Sequence, residues 1–255
     1  MKTFKPKYRF AIRDIASTTI NLAAIYSGLA YTHANKKQIL DAYGICEQEL
    51  DRQEYIHTIT KAVQLSHDKQ GPAMHNICKQ LENMWLQYQD EFFNNISKGL
   101  DIQFVEKPDC YANCQLHLMP INEASIDDMT IWLDCSKDID EIFVSFVIMA
   151  AKLLLLDRWR GRCDHVFPYD FEATNKTWLF AEIAIDAIFA NTDLHKISEN
   201  PSYKYLYSVK IDNINFMQKF RRLYQLVDID DFFDNVYMFV HSNYESLSKF
   251  KNYLY

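Results

Sequence analysis

The 255-residue sequence predicts a helix-dominated α+β protein with a small sheet near its middle. Its 5 Gly and 6 Pro leave few places for sharp turns, which favours long helices over a many-stranded sandwich. Apolar residues recur at helical spacing from Phe10 to Leu100, whereas residues 101–135 alternate apolar and polar side chains as half-buried strands do. We therefore expect one compact unit with helices over residues 1–99, an α+β core over 100–195 and helices over 196–255.

The first region begins with a basic stretch, which we interpret as a solvated end of the chain rather than a nucleic-acid-binding arm. Residues 15–31 then predict a buried helix, because the run is too short and too polar to span a bilayer. Gly71 and Pro72 predict a break between two helices, with the proline at the entry of the second, and Gly99 ends the region. The basic stretch contains Lys2, Lys5, Lys7, Arg9 and Arg13.

The core is predicted from three short runs that are typical of strands, DIQFVEK, CQLHLMPI and MTIWLDC. Asp138 or Asp140 then caps the segment EIFVSFVIMAAKLLLL, which is apolar nearly all round. A helix without a polar face belongs in the middle of a domain. A second very apolar helix is predicted near residues 171–192, and further helices rich in Tyr and Phe finish the chain.

Charge and cysteine usage narrow the functional classes. The formal net charge of −7 argues against a protein that binds the phosphate backbone of nucleic acids, since that role needs clustered Lys and Arg. The 6 Cys residues are scattered along the chain, which is typical of reduced thiols in a cytoplasm. We expect a cytoplasmic protein that binds neither nucleic acid nor membrane and whose candidate partner is another protein.

A thiolate and imidazole site is a weak alternative near the first strands of the core. Cys110, Cys114 and His117 lie close together in sequence, but their spacing is not that of a zinc finger. On a strand, Cys114 and His117 point to opposite faces. We expect these residues to have structural roles.

Two carboxylates, Glu182 and Asp186, interrupt the otherwise apolar segment AEIAIDAIFANTD. Residues four apart on a helix lie about 40° apart around its axis, so both side chains project to one side, which is not an obvious solvent stripe. A buried carboxylate is costly unless a cation, a metal or hydrogen-bond donors meet it. The segment therefore predicts a charged or hydrogen-bonding partner for this pair.

The order of a short strand, a buried helix, a connection and a helix with Glu-x-x-x-Asp resembles the gluzincin metallopeptidases, the thermolysin-like class. The resemblance covers roughly residues 100–195 and implies a zincin-like core there. In that class the first helix carries His-Glu-x-x-His, and the second carries a Glu zinc ligand followed four residues on by an orienting Asp. The resemblance places Glu182 in the ligand position and Asp186 in the orienting position.

The first helix departs from that class at the metal site. The best register places Ile148, Met149 and Lys152 where His, Glu and His would stand, in the segment IMAAK. A zinc peptidase needs two imidazoles four residues apart to hold the metal, and a carboxylate to activate its water. Because Ile and Met provide neither, the resemblance implies a degenerate site with no catalytic residue and no bound cofactor.

Lys152 has two open interpretations. In the first, its ammonium replaces the missing metal charge and forms a buried ion pair with Glu182. In the second, Lys152 marks the end of an apolar helix and its side chain extends to water. The two differ in where the Lys152 amine lies.

Three functions from different classes remain open. The first is a metallopeptidase-like pseudoenzyme that acts by binding a protein. The second is a hydrolase that holds one divalent metal, zinc above all, through Glu182, Asp186 and a flanking histidine, His165 or His195. The third is an all-helical interaction or immunity-type protein with structural carboxylates, which requires that residues 101–135 form no sheet.

Overall fold

The computed structural model describes residues 1–27, 33–45, 55–119, 122–127, 129–160, 176–202, 204–211 and 213–248. They form a predominantly helical α+β structure, which confirms the predicted class. The elements in chain order are β1 (Lys2–Phe4), β2 (Lys7–Ile12), α1 (Ile15–Tyr26), α2 (His33–Ala42), α3 (Tyr55–Leu100), β3 (Gln103–Val105), β4 (Tyr111–His117), β5 (Glu123–Ser125), β6 (Thr130–Asp134), α4 (Ile139–Arg160), α5 (Lys176–Ala190), a 3-10 helix (Asp193–Lys196), α6 (Lys204–Ser208), β7 (Lys210–Ile211), β8 (Ile214–Asn215), α7 (Phe216–Leu223) and α8 (Ile229–Ser248).

The central sheet has four strands in the order β2, β4, β6, β5. Strands β2, β4 and β6 are parallel, and β5 runs antiparallel to β6 at one edge. Two smaller pairs, β1 with β3 and β7 with β8, lie outside this sheet. The three strands predicted within residues 101–135 are therefore present as β3, β4 and β6.

The beginning of the chain differs from the predicted solvated end and from a helical pattern starting at Phe10. Strand β2 pairs with β4 over six residues, from Lys7 with Tyr111 to Ile12 with Leu116. Its exposed side chains alternate with buried or half-buried ones, and Tyr8 packs edge-on against an aromatic side chain of α4. The pairing partner lies about a hundred residues away, so local spacing alone did not indicate it.

Helix α3 runs without interruption through Gly71 and Pro72, so the predicted break is wrong. Proline removes one backbone N–H from a helix and crowds the residue before it. Gly71 has no Cβ to meet that crowding. The tertiary packing of α3 against α1, α4 and β2 then holds the two halves of a 46-residue helix in line.

The C-terminal turn of α3 makes a close approach to α5. A Cβ placed on Gly99 would lie 2.6 Å from Cγ2 of Ile188, so only glycine fits this contact without a shift. The last two carbonyls of α3 accept hydrogen bonds from other elements. Tyr224 Oη donates to Gly99 O at 2.8 Å, and Arg158 Nε donates to Leu100 O at 2.5 Å.

Helices α4 and α5 occupy the middle of the protein, as their apolar composition predicts. Asp138 caps α4, since its Oδ1 accepts the Glu141 N–H at 2.9 Å. Helix α4 packs against α3, α5, β5 and β6, whereas α5 packs against α4, α7 and α8. This sheet beside α4 contradicts the all-helical architecture that the third function requires.

None of the helices in the described part of the chain combines the length and the apolar composition that crossing a membrane requires.

Candidate functional site

A buried ion pair joins the two central helices. Lys152 Nζ on α4 lies 2.5 Å from Oε1 of Glu182 on α5. The Lys152 side chain is 9% exposed and that of Glu182 is 0% exposed. Lys152 therefore does not extend to water, and α4 continues past it to Arg160. The structure contains the ion pair of the first interpretation.

The second carboxylate of α5 has its own cation. Arg221 on α7 holds Asp186 with two hydrogen bonds, Nε to Oδ2 at 2.7 Å and Nη2 to Oδ1 at 2.6 Å. Tyr207 Oη donates to Oδ1 of the same carboxylate at 2.6 Å. Asp186 is 1% exposed, so this fork-shaped contact supplies the charge compensation that its burial requires.

Both donors to Asp186 keep their protons. Burial and the adjacent Asp186 charge raise the pKa of the Tyr207 hydroxyl. The hydrogen bond to Asp186 raises the pKa of Arg221. Asp186 is therefore held by a guanidinium and a phenol that both remain protonated at neutral pH.

The segment before α6 connects the backbone at Glu182 with the cluster around Asp186. Ser202 Oγ donates to the backbone oxygen of Glu182, and the Ser202 N–H donates to Tyr207 Oη at 3.2 Å. Arg221 Nη2 also donates to the backbone oxygen of Glu199 at 3.0 Å. One polar network thus links α4, α5, α6 and α7, and it runs from the buried Glu182 to the partly exposed Arg221.

The other residues predicted for the degenerate site lie on the turn of α4 before Lys152. Ile148 and Met149 are half-buried and pack against the hydrophobic core. His195 is exposed in the 3-10 helix, where its Nδ1 lies 2.7 Å from the backbone oxygen of Thr192. His165 lies outside the described residues.

The residues at this site do not fit the zinc that the gluzincin resemblance implies. Zinc takes imidazole, thiolate or carboxylate donors, whereas positions 148, 149 and 152 carry an alkyl, a thioether and an ammonium group. The ammonium of Lys152 already donates to Glu182, the expected ligand. Within the described ranges, no group of three or more His, Cys, Asp and Glu side chains could hold a metal. A metal held by Glu182, Asp186 and His195 would have to compete with Lys152 and Arg221.

Cys114 and His117 are buried on opposite faces of β4, as expected from alternation, whereas Cys110 precedes the strand and is half-buried. Cys114 lies on the face of β4 with Ala112 and Leu116, and His117 on the other. Burial, with a smaller contribution from the Arg13 charge, lowers the pKa of His117 to about 3. His117 is therefore neutral, and its Nδ1 accepts the Met119 N–H at 3.0 Å.

Sequence reasoning missed the partners of Asp186. Arg221 and Tyr207 lie 35 and 21 residues beyond it, so no helical or strand period links them. The only local signal for Arg221 is the strong amphipathicity of α7. This helix buries Phe216, Met217 and Phe220 against the core, so the next residue, Arg221, lies at the edge of the core.

Comparison of the chain with models of known protein families, with curated proteins and with solved structures finds no match.

Proposed function

We propose that this chain is a gluzincin-like protein in which a lysine has replaced the metal, and that it acts by binding a protein partner rather than by hydrolysis. The observation that carries the proposal is the 2.5 Å contact between Lys152 Nζ and Glu182 Oε1 in the interior. A buried lysine seldom faces a buried glutamate without a specific reason, because desolvating both charges is expensive.

The order of elements supports the scaffold part of the proposal. Strand β6 leads into the buried helix α4, and α5 follows with Glu182 and Asp186 one turn apart on the side of its partners. This is the strand, helix and Glu-x-x-x-Asp order of the gluzincin class. On the proposed scaffold, the lysine ammonium takes the place of the metal that would join the two helices in that class.

The chemistry of the positions supports a binding role. Hydrolysis in the gluzincin class needs a Lewis acid and a carboxylate that takes a proton from the attacking water. Met149 stands in the position of that carboxylate and cannot take a proton. Lys152 and Arg221 neutralise the two acidic residues of α5. We therefore assign the site a structural role and expect the protein to act through a binding surface.

The proposal places the protein in a cytoplasm. Cys78, Cys110, Cys114 and Cys135 are free thiols in the structure, which suits a reducing compartment.

The first test is the metal content of untagged protein purified without added metal, measured by plasma mass spectrometry. We expect zinc, manganese and iron each far below one atom per chain. A near-stoichiometric content of any of them would overturn the proposal and favour a metal-dependent hydrolase with unfamiliar ligands.

The second test rebuilds the absent metal site. The triple variant Ile148→His, Met149→Glu and Lys152→His restores the three side chains that the gluzincin class uses, beside the native Glu182. We expect it to bind one zinc ion, measured by competition with a chromophoric chelator, with the fold checked by circular dichroism. Adding Glu182→Gln should weaken zinc binding by about 10-fold or more, because a ligand is lost.

A smaller change keeps the test informative if the triple variant does not fold. The I148H/K152H variant leaves Met149 in place and still sets two imidazoles four residues apart opposite Glu182. A folded variant of either kind that binds no zinc, or that binds zinc equally well with Glu182→Gln, would refute the proposed gluzincin-like arrangement of α4 and α5.

A further inference from the structure

One backbone edge of strand β2 pairs with no strand of the described residues. This strand lies at the end of the strand order β2, β4, β6, β5, so β4 pairs with only one side of it. The Lys7 N–H donates to the residue before β4, and the Arg13 N–H donates to β4 itself, both at 2.9 Å. In a parallel ladder the alternate residues then direct their N–H and C=O groups away from β4. These are Tyr8, Phe10 and Ile12, and no strand of the described part of the chain pairs with them.

The side chains beside this edge divide into a basic set and an apolar set. Phe10 and Ile12 face the helix-covered side and are half-buried, and Phe10 packs on Phe146 of α4 at 4.9 Å between ring centroids. Lys7 and Arg9 project from the opposite face and are exposed. An added strand would therefore meet cations on one face and apolar groups on the other.

The two cations are available for a carboxylate partner. The Arg9 guanidinium lies flat over the Tyr111 ring, 3.3 Å from its centroid, and Lys7 Nζ contacts the Pro108 carbonyl at 3.4 Å. Neither forms an ion pair with a carboxylate of the described residues. Arg9 is exposed, and a guanidinium that stacks on an aromatic ring still has N–H donors for a carboxylate.

Charge distribution along the chain favours an acidic occupant. Residues 1–13 carry five Lys and Arg side chains and no Asp or Glu, in a chain whose formal net charge is −7. A second copy of this chain is a poor occupant, because pairing β2 with another β2 would set Lys7 and Arg9 against the same cations.

We propose that the β2 edge binds an extended, acidic segment of a protein partner, which adds to the sheet beside β2. Backbone groups of Tyr8, Phe10 and Ile12 would pair with the segment, as in other cases where a peptide extends a sheet. Successive residues of a strand alternate between its two faces. The segment is therefore one in which Asp or Glu, facing Lys7 and Arg9, alternates with apolar residues facing Phe10 and Ile12. This inference rests on the proposed binding role and adds the surface and the partner's chemistry.

The test uses a fluorescein-labelled peptide with four Glu-Val repeats as the probe, measured by fluorescence anisotropy at low salt. We expect saturable binding that weakens as salt rises, and no binding of the matched Lys-Val peptide. The Lys7→Glu/Arg9→Glu variant should lose at least about 10-fold in affinity. The Lys204→Glu/Lys210→Glu variant changes two exposed lysines elsewhere and matches the net charge, so it should bind as wild type.

Two further measurements separate strand addition from simple charge attraction. Two N-methylated peptides are compared, one methylated at the Glu residues and one at the Val residues. One of the two should not bind, because methylation removes the backbone donors that would pair with β2. Amide hydrogen exchange at Phe10 and Ile12 should slow when the Glu-Val peptide binds. Protection confined to another surface, equal affinity of K7E/R9E, or indifference to both N-methylated peptides would overturn the inference.

Competing occupants give distinct results. Concentration-dependent dimers that K7E/R9E abolishes would assign the edge to a second copy, and tighter binding of an oligothymidine than of the Glu-Val peptide would assign it to a nucleic acid. Either result would overturn the inference. The zinc-binding test of the rebuilt site does not involve β2, so failure here is distinguishable from failure of the gluzincin-like scaffold.

Discussion

Replacing Lys152 by Met removes the ammonium group and keeps an unbranched side chain of similar length at the same place. Glu182, which is fully buried and 2.5 Å from that ammonium, would either stay charged without the compensating lysine or take up a proton, and both cost free energy of folding. Breaking a buried ion pair by removing one partner typically lowers the free energy of unfolding by about 3–5 kcal/mol. We expect a loss in this range for Lys152→Met at pH 7.

A double-mutant cycle isolates the contact between the two groups. The K152M/E182L variant removes both charges and leaves two apolar side chains, and such replacements are often neutral or stabilising. We expect the double variant to lie within about 1.5 kcal/mol of wild type, although each single variant costs more. The resulting coupling free energy should exceed about 2 kcal/mol.

The assay is urea unfolding followed by circular dichroism, with the midpoint and slope fitted for each variant. The control is Lys196→Met, which breaks the exposed Lys196–Asp193 pair at 3.0 Å and should leave stability unchanged within error. The deficit of K152M should shrink as pH falls, because protonation neutralises a carboxyl that has lost its cation. A K152M variant as stable as wild type, with additive effects in the cycle, would refute the reasoning.

Three other perturbations test the surrounding structure by urea unfolding. Arg221→Lys keeps the charge but loses the two-bonded contact with Asp186, so stability should fall by about 1–2 kcal/mol; an unchanged midpoint would argue against this contact. Gly99→Ala places a Cβ 2.6 Å from Ile188 Cγ2 and should cost about 1–3 kcal/mol, and a stabilised variant would contradict the close approach. Because the pKa of His117 is lowered to about 3, only the unfolded chain binds its proton between pH 6.5 and about pH 3. Stability should therefore fall by about 2 kcal/mol between pH 7 and pH 5, and this part of the loss should be absent in His117→Asn.

The candidate site was predictable only as far as local spacing reaches. The four-residue interval between Glu182 and Asp186 places both on one side of α5, and the apolar surroundings predicted that both need a partner. Lys152 is the one charged residue within the apolar run IFVSFVIMAAKLLLL of the facing helix, which made it the candidate cation. Arg221 had no comparable signal, because its position on α7 depends on how α7 packs against α5.

In the fold, too, some elements follow from local sequence patterns and others depend on tertiary packing. Helices α4 and α5 follow from continuous apolar runs, since such segments must be buried. The segment of β2 was interpreted from its basic side chains as a solvated end, and its alternation of buried and exposed residues was not recognised. Only its pairing with β4 established it as a strand. The Gly71–Pro72 pair predicted a helix end, but packing along both sides of α3 outweighed the one backbone hydrogen bond that the proline removes.

The sequence by itself determined the class of the protein, the two buried helices and the need of Glu182 for a compensating charge, because these follow from composition and short-range periodicity. Tertiary structure alone decided that Lys152 meets Glu182, that Arg221 and Tyr207 hold Asp186, and that β2 is an edge strand. The physical reason is that burial can be inferred from a local pattern, whereas the identity of a contact depends on residues far apart in the chain.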